Sequence, residues 1–72
     1  MKNNIRLFRV KHNLTQDQLA EMLEVSRQTI ISLEKEKYNP SITLAFKLSE
    51  VFKCSIEDVF IYEGGISNEK ST

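Results

Sequence analysis

Apolar side chains recur along this chain at intervals of three and four residues, and polar side chains fill the positions between them. That spacing places the apolar side chains on one face of an α-helix. A Ser, Thr or Asn residue precedes each periodic segment and can accept hydrogen bonds from the free N–H groups of a first helical turn. We therefore predict a compact all-α domain with five helices, at about residues 4–12, 16–23, 27–35, 42–52 and 56–60.

The second and third predicted helices follow each other with almost no linker. Thr15 can cap the second helix, and Gln18 stands three residues later, as in a capping box. Ser26 starts the next helix after only Glu24 and Val25. Two helices joined so closely must cross at a steep angle, which predicts a helix-turn-helix unit.

The length of 72 residues fits one small domain with a single modest core. We place this domain at residues 1–63 and expect residues 64–72, a polar segment that begins with two glycines, to form a disordered tail. We also expect no separate domain for a small-molecule effector, because no residues remain to build one.

Several function classes lack the residues they need. No apolar run reaches the roughly 20 residues that cross a bilayer, and the first residues lack the apolar stretch of a signal peptide. We therefore expect a cytoplasmic protein with no membrane partner. Cys54 and His12 cannot supply a four-ligand zinc site, and we expect no metal or other cofactor. No Ser/His/Asp set, carboxylate pair or glycine-rich phosphate loop points to catalysis, so we expect no enzyme.

Charge is unevenly distributed along the chain, although the formal net charge is zero. Residues 1–40 contain seven Lys or Arg and five acidic residues, whereas residues 41–72 contain three and five. A molecule polarised in this way can present one basic face to an anionic partner.

The third predicted helix has two different faces. At about 100° per residue, Gln28, Thr29 and Ser32 lie close together, while Ile30 and Leu33 point to the opposite half. Gln, Thr and Ser side chains can hydrogen-bond to base edges in the major groove of DNA. Such side chains are also common on any solvated helix, so this face alone leaves DNA binding and a merely polar surface as alternatives.

Four short motifs in a fixed order carry a stronger signal. They read Leu14-Thr15-Gln16-x-x-Leu19-Ala20, Val25-Ser26-Arg27-Gln28-Thr29-Ile30, Leu33-Glu34 and Tyr38-Asn39-Pro40-Ser41. With this order and spacing, residues from about 5 to 60 resemble the lambda-repressor-like helix-turn-helix family of the Xre/Cro type. The resemblance implies a compact five-helix domain that binds specific sequences in double-stranded DNA and regulates transcription.

The resemblance also implies roles for individual residues. The third helix would lie in the major groove, with base contacts from Ser26, Arg27, Gln28, Thr29 and Ser32. Phosphates would be contacted from the start of the second helix and from the segment after the third, by Thr15, Gln16, Lys35, Lys37, Tyr38 and Asn39. Arg9 and Glu34 match a pair that, in relatives, joins the first helix to the end of the third by an ion pair.

This sequence departs from the family where relatives often place glycine after a helix. The four positions hold Asn13, Glu24, Glu36 and Lys53. A left-handed conformation costs a residue with a Cβ on the order of 1 kcal/mol, so these turns are either strained or differently shaped. Ile31 is a further departure, at a position that is usually polar. It could touch a thymine methyl group or be a single exposed apolar side chain.

Apolar side chains near the end of the chain exceed what so small a core needs. Four of them, Leu44, Phe46, Ile56 and Phe60, are interpreted as the surface of a two-fold homodimer that reads a roughly palindromic operator. Additional core packing is the alternative for these residues. The resemblance to compact family members also implies an antiparallel strand pairing of residues 1–3 with about residues 61–63.

Two other function classes compete with a transcriptional regulator. One is a protein-interaction module such as an antitoxin component, and the other is a structural adaptor that does not bind DNA. A C-terminal segment able to wrap a partner would favour the interaction module. The segment after Gly65 is short and polar, which favours the regulator.

Overall fold

The computed structural model describes residues 1–62, and the predicted tail at 64–72 lies outside the described residues. The elements in chain order are β1 (Lys2–Asn3), α1 (Ile5–Lys11), α2 (Gln16–Leu23), α3 (Arg27–Glu34), α4 (Ile42–Phe52), α5 (Ile56–Val59) and β2 (Phe60–Ile61). The predicted five-helix fold is confirmed. The predicted ends of α2 and α3 differ from the observed ends by at most one residue.

β1 and β2 form a two-stranded antiparallel sheet, in which Lys2 pairs with Ile61 and Asn3 pairs with Phe60. The implied pairing between the first residues and the segment after α5 is therefore present. It starts one residue earlier than expected, because Phe60 already has extended backbone angles, φ −113° and ψ 134°. The expected strand residue Glu63 lies outside the described residues.

One apolar core lies between the five helices. Its members are at most 8% exposed, and they are Ile5, Leu19, Ala20, Leu23, Ile30, Leu33, Leu44, Leu48, Phe52, Val59 and Phe60. Phe8 adds to this core by stacking on Phe52, with the ring centroids 5.5 Å apart, and so joins α1 to α4. The core thus fixes α3 against the rest of the domain.

Two of the four side chains assigned to a dimer surface are core residues, which corrects that interpretation for them. Leu44 is 6% exposed and Phe60 is 8% exposed. Leu44 stands four and eight residues before Leu48 and Phe52, so all three lie on one stripe of α4. Phe60 points inward as the first residue of β2, and the side chain of Ile61 points to the opposite, exposed face.

The predicted caps form at the starts of α2 to α5. Thr15 Oγ1 accepts the Gln18 N–H at 3.0 Å, and Gln18 Oε1 accepts the Thr15 N–H at 2.8 Å, which completes the capping box. Ser26, Ser41 and Ser55 each accept a backbone N–H from the residue three positions later. These bonds satisfy N–H groups that a helix start leaves without a helical partner.

All four non-glycine turn positions adopt the left-handed conformation, so of the two alternatives for these turns the strained one is present. Their φ angles are 59° at Asn13, 61° at Glu24, 61° at Glu36 and 55° at Lys53. After each of them, the next N–H donates to the carbonyl five residues earlier at 3.0 Å, the bond of a Schellman motif. These bonds stabilise the turns against the strain of the Cβ atoms.

We expect Lys53→Gly to stabilise the domain by up to about 1 kcal/mol, because glycine has no Cβ to strain the left-handed conformation. Denaturant unfolding measures this change in the free energy of unfolding. Glu50→Gly is the matched control, since Glu50 is exposed inside α4 and glycine at such a position costs about 1 kcal/mol. If Lys53→Gly destabilises the domain as Glu50→Gly does, the left-handed conformation of Lys53 is not strained.

Candidate nucleic-acid interface

The buried sides of α2 and α3 determine which side of α3 faces solvent. Leu19 and Leu23 of α2, together with Ile30 and Leu33 of α3, are each at most 1% exposed. Ser26 caps α3 immediately after the left-handed turn, so α3 starts in a fixed register. The face of α3 opposite Ile30 and Leu33 is therefore presented outward.

Most of the predicted base-contact residues line one cleft on that outward face. Ser26, Gln28, Thr29 and Ser32 surround an open cavity of about 220 Å³, and Tyr38 from the segment after α3 closes one side of it. Gln28 is exposed, whereas Thr29 and Ser32 are half-buried. This arrangement brings hydrogen-bonding groups of three kinds, an amide, hydroxyls and a phenol, to one accessible surface.

The hydroxyl groups of Ser26 and Thr29 are partly committed to the start of α3. Ser26 Oγ accepts the Thr29 N–H at 3.2 Å, and the two hydroxyl oxygens lie 3.0 Å apart. Gln28 and Ser32 have no side-chain hydrogen-bond partner within residues 1–62. Of the four predicted base-contact side chains that line the cleft, Gln28 and Ser32 are thus the most available to a ligand.

Arg27 lies apart from this cleft, at the junction of α2 and α3. Its Nε is 3.8 Å from Asp17 Oδ1, and both side chains are largely exposed, at 60% and 72%. A long contact between exposed charges contributes little to stability. The Arg27 guanidinium therefore remains accessible, with its position biased by the carboxylate of α2.

Arg9 and Glu34 form the ion pair that the family resemblance implies. Arg9 Nε donates to Glu34 Oε2 at 2.6 Å, and Nη2 donates to Oε1 at 3.3 Å, so the carboxylate is held by two bonds. A third donor, Arg9 Nη1, bonds to the Leu14 carbonyl at 2.8 Å. The side chains are only 13% and 8% exposed, so this pair joins α1, the α1–α2 turn and the end of α3 in a largely buried position.

Gln16 adds a contact that the sequence did not indicate. Its Nε2 donates to Glu34 Oε1 at 3.2 Å, which connects the first residue of α2 to the last residue of α3. Gln16 also borders a second open cleft, of about 620 Å³, together with Thr15, Asp17 and Arg27. Two predicted phosphate-contact residues therefore meet the predicted base-contact residue Arg27 at this cleft.

The other predicted phosphate-contact residues follow α3, and all are exposed. They are Lys35, Lys37, Tyr38 and Asn39. Glu36 lies between them, but its Oε2 accepts the Asn3 N–H at 3.2 Å and is held at β1. Asn3 also donates from Nδ2 to the Leu33 carbonyl at 2.8 Å. Asn3 thus secures the end of α3, a role that no sequence signal predicted because the partners are about 30 residues apart.

Outside the α2–α3 region, Cys54 is a second residue whose chemistry can be assessed in residues 1–62. Burial raises the pKa of the Cys54 thiol, and the Asp58 carboxylate raises it further, so the thiol stays protonated at neutral pH. Cys54 is partly buried and packs against the core. Within residues 1–62, no group of three or more His, Cys, Asp or Glu side chains could hold a metal ion. None of the helices in this part of the chain has the length and apolar character to cross a membrane.

Comparison with known proteins gives the family. The helix-turn-helix family profile matches residues 5–59. An uncharacterized HTH-type transcriptional regulator of Methanocaldococcus jannaschii is 59% identical over 63 residues, which cover 88% of this chain and 96% of that protein. Another from Archaeoglobus fulgidus is 51% identical over 63 residues, with coverage of 88% and 89%.

A solved structure gives the same fold. A hypothetical transcription factor from Neisseria, NHTF, superposes with a TM-score of 0.71 and 24% identity, over 76% of this chain. The match spans 62% of the Neisseria chain. The family profile, the identity to named HTH-type regulators and the observed fold agree with each other. The chain belongs to the lambda-repressor-like helix-turn-helix family of transcriptional regulators.

Proposed function

We propose that this protein binds a specific sequence in double-stranded DNA as a homodimeric transcriptional regulator, with α3 in the major groove. The observation that carries the proposal is the outward face of α3, where Gln28 and Ser32 have no partner within residues 1–62 and line an open cleft. An amide can bind adenine through two hydrogen bonds, and a hydroxyl can bind several bases. Arg27, at the first turn of α3, adds a guanidinium suited to guanine.

Two groups of residues flank α3 and are proposed to contact the DNA backbone. Thr15 and Gln16 stand at the start of α2, where backbone N–H groups and the helix dipole favour an anion. Lys35 and Lys37 follow the end of α3 and are exposed, as are the neighbouring residues Tyr38 and Asn39. Contacts on both sides of a reading helix fix its register on the duplex without reading sequence.

The homodimer is proposed to use the apolar surface that remains after Leu44 and Phe60 are assigned to the core. Phe46 is 54% exposed on α4, and Ile56 of α5 borders an open apolar cavity of about 310 Å³. Tyr62, which is 68% exposed, lines the same cavity. A second copy on this surface would give a two-fold dimer whose reading helices enter the major groove about 34 Å apart.

Selection of bound sequences from random duplex DNA, at two salt concentrations, tests the proposal. We expect a roughly palindromic consensus. We expect Gln28→Ala to weaken binding of the selected site by about 1 to 3 kcal/mol and to relax the base preference at one position of each half-site, because a base-specific amide is lost.

Lys37→Gln is the control for this selection. A phosphate contact carries no sequence information, so its loss should weaken all duplexes alike and lower the slope of log affinity against log salt by about one. If the wild-type protein enriches no sequence, DNA reading is wrong and a protein-interaction module becomes the better explanation. If Gln28→Ala leaves the consensus unchanged, Gln28 is not a reading residue.

A further inference from the structure

The contact between Gln16 and Glu34 connects two residues that otherwise have separate roles, a phosphate contact and a structural ion pair. We infer that Glu34 is a positioning residue, which orients the side-chain amide of Gln16 so that a free N–H points toward a DNA phosphate. The inference rests on the proposed function for its DNA part. It assigns to Glu34 an effect on DNA affinity beyond its effect on folding.

Glu34 can hold the amide because its carboxylate is itself immobile. Arg9 donates two hydrogen bonds to it, at 2.6 Å and 3.3 Å, and the Glu34 side chain is only 8% exposed. Arg9 is held in turn by its bond to the Leu14 carbonyl at 2.8 Å. A carboxylate fixed in this way cannot swing to follow a neighbouring side chain.

The chemistry of the contact permits one orientation of the Gln16 amide. An ionised carboxylate only accepts hydrogen bonds, so the amide must present its NH₂ group to Glu34, as it does at 3.2 Å. One N–H of that group is used by Glu34, and the other has no partner within residues 1–62. A flipped amide would instead turn its carbonyl oxygen toward Glu34, which electrostatic repulsion disfavours.

The orientation matters because a phosphate, like a carboxylate, only accepts hydrogen bonds. The amide of a freely rotating glutamine presents its oxygen or its nitrogen to a phosphate, and ordering it on binding costs conformational entropy. In this protein, the amide is ordered before DNA arrives, and Gln16 lies beside the cleft of about 620 Å³ at the start of α2. Glu34 therefore lowers the entropic cost of a contact that it does not itself make.

The test replaces the ion pair without removing its packing. In the double variant Arg9→Met with Glu34→Leu, apolar side chains of similar size take the place of both charges, an exchange that is often neutral for folding. Thermal unfolding verifies that the variant is folded. If it is not, Arg9→Leu with Glu34→Leu, which likewise leaves no side-chain group at position 34 that can hydrogen-bond to Gln16, replaces it in the measurements that follow.

The first measurement needs no DNA. NMR relaxation of the two Gln16 side-chain N–H groups in the free protein should give an order parameter near that of rigid backbone, about 0.85. In the variant without the Glu34 carboxylate, we expect it to fall below about 0.6. A mobile Gln16 amide in the wild type, or an amide equally ordered in the variant, would overturn the inference.

The second measurement is a double-mutant cycle on the affinity for a fluorescent 20-base-pair duplex of random sequence. Phosphate contacts do not depend on sequence, so they contribute to binding of this duplex. Gln16→Ala should weaken binding about tenfold in the wild type, as expected for a hydrogen bond to a charged group. In the background without the ion pair, the loss should be less than about threefold. Equal losses in the two backgrounds would contradict positioning.

Lys37→Gln is the matched control in the same cycle. Lys37 is exposed beyond the end of α3. Its substitution should lower the affinity for the duplex by the same factor in both backgrounds. The effect of Lys37→Gln could instead differ between the two backgrounds by as much as the effect of Gln16→Ala does. Glu34 would then act on the position of the whole domain, which overturns the inference. Absence of any binding by the wild type refutes the proposed DNA function and the DNA part of this inference together, while the NMR result still decides whether Glu34 orders Gln16.

Discussion

Arg9→Ala should lower the free energy of unfolding by about 3 to 5 kcal/mol, because it leaves the Glu34 carboxylate charged and 8% exposed without its partner. A domain of this size has roughly 4 to 11 kcal/mol of stability in total, so much of it would be lost. The melting temperature should fall by more than about 10 °C. DNA binding should weaken as a consequence, since less folded protein is present. An unchanged melting temperature would refute this role for the ion pair.

Two controls separate the charge effect from the loss of a long side chain. Arg6→Ala removes an exposed arginine from the same helix and should change stability by at most about 0.5 kcal/mol. The double replacement Arg9→Met with Glu34→Leu should cost much less than Arg9→Ala, because no unpaired charge remains buried. A double variant as unstable as Arg9→Ala would mean that packing around Arg9, and not its charge, is what matters.

Leu44→Ala should lower the free energy of unfolding by about 2 to 5 kcal/mol, since Leu44 is 6% exposed and its removal leaves a cavity in the core. Phe46→Ala, two residues later on α4, should change the stability of the monomer by at most about 0.5 kcal/mol, because Phe46 is 54% exposed. It should instead weaken the proposed dimer about tenfold or more, as removal of a central aromatic contact does. Denaturant unfolding and light scattering at micromolar concentration measure the two effects.

Leu44→Ala tests the stability of the core and Phe46→Ala tests the dimer, so each expected result can be contradicted separately. A large loss of monomer stability in Phe46→Ala would mean that this ring belongs to the core. A wild-type protein with the mass of one chain at micromolar concentration would contradict the homodimer. A dimer unaffected by Phe46→Ala would leave the dimer in place and exclude Phe46 from its interface.

Local signals allowed most of the secondary structure to be predicted. The capping side chains Thr15, Ser26 and Ser55 act within three residues of themselves, so their effect is readable in the sequence. The error at Leu44 has a different origin. Leu44 and Ala45 both stand at helical spacing from Leu48, and only the packing of α4 against its neighbours decides which of them is buried deeper.

The candidate interface was predictable only where it depends on local signals. The polar face with Gln28 and Ser32 follows from the helical period of α3, but its assignment to DNA came from the family resemblance. The contacts that hold this helix in place, from Gln16 to Glu34 and from Asn3 to Leu33, join residues 18 and 30 positions apart. Contacts over such separations depend on the three-dimensional arrangement of the helices, and no periodic pattern records them.

The pairing of β1 with β2 has a consequence for the order of folding. Its two residue pairs, Lys2 with Ile61 and Asn3 with Phe60, join parts of the chain that are almost its full described length apart. Closing so long a loop in an unfolded chain costs much entropy for few hydrogen bonds. The α2–turn–α3 unit lies within residues 16–34, a much shorter loop, so it can form early. The strand pair becomes favourable only after the helices have shortened the distance between the strands. The reading helix would thus take shape before the sheet that closes the domain.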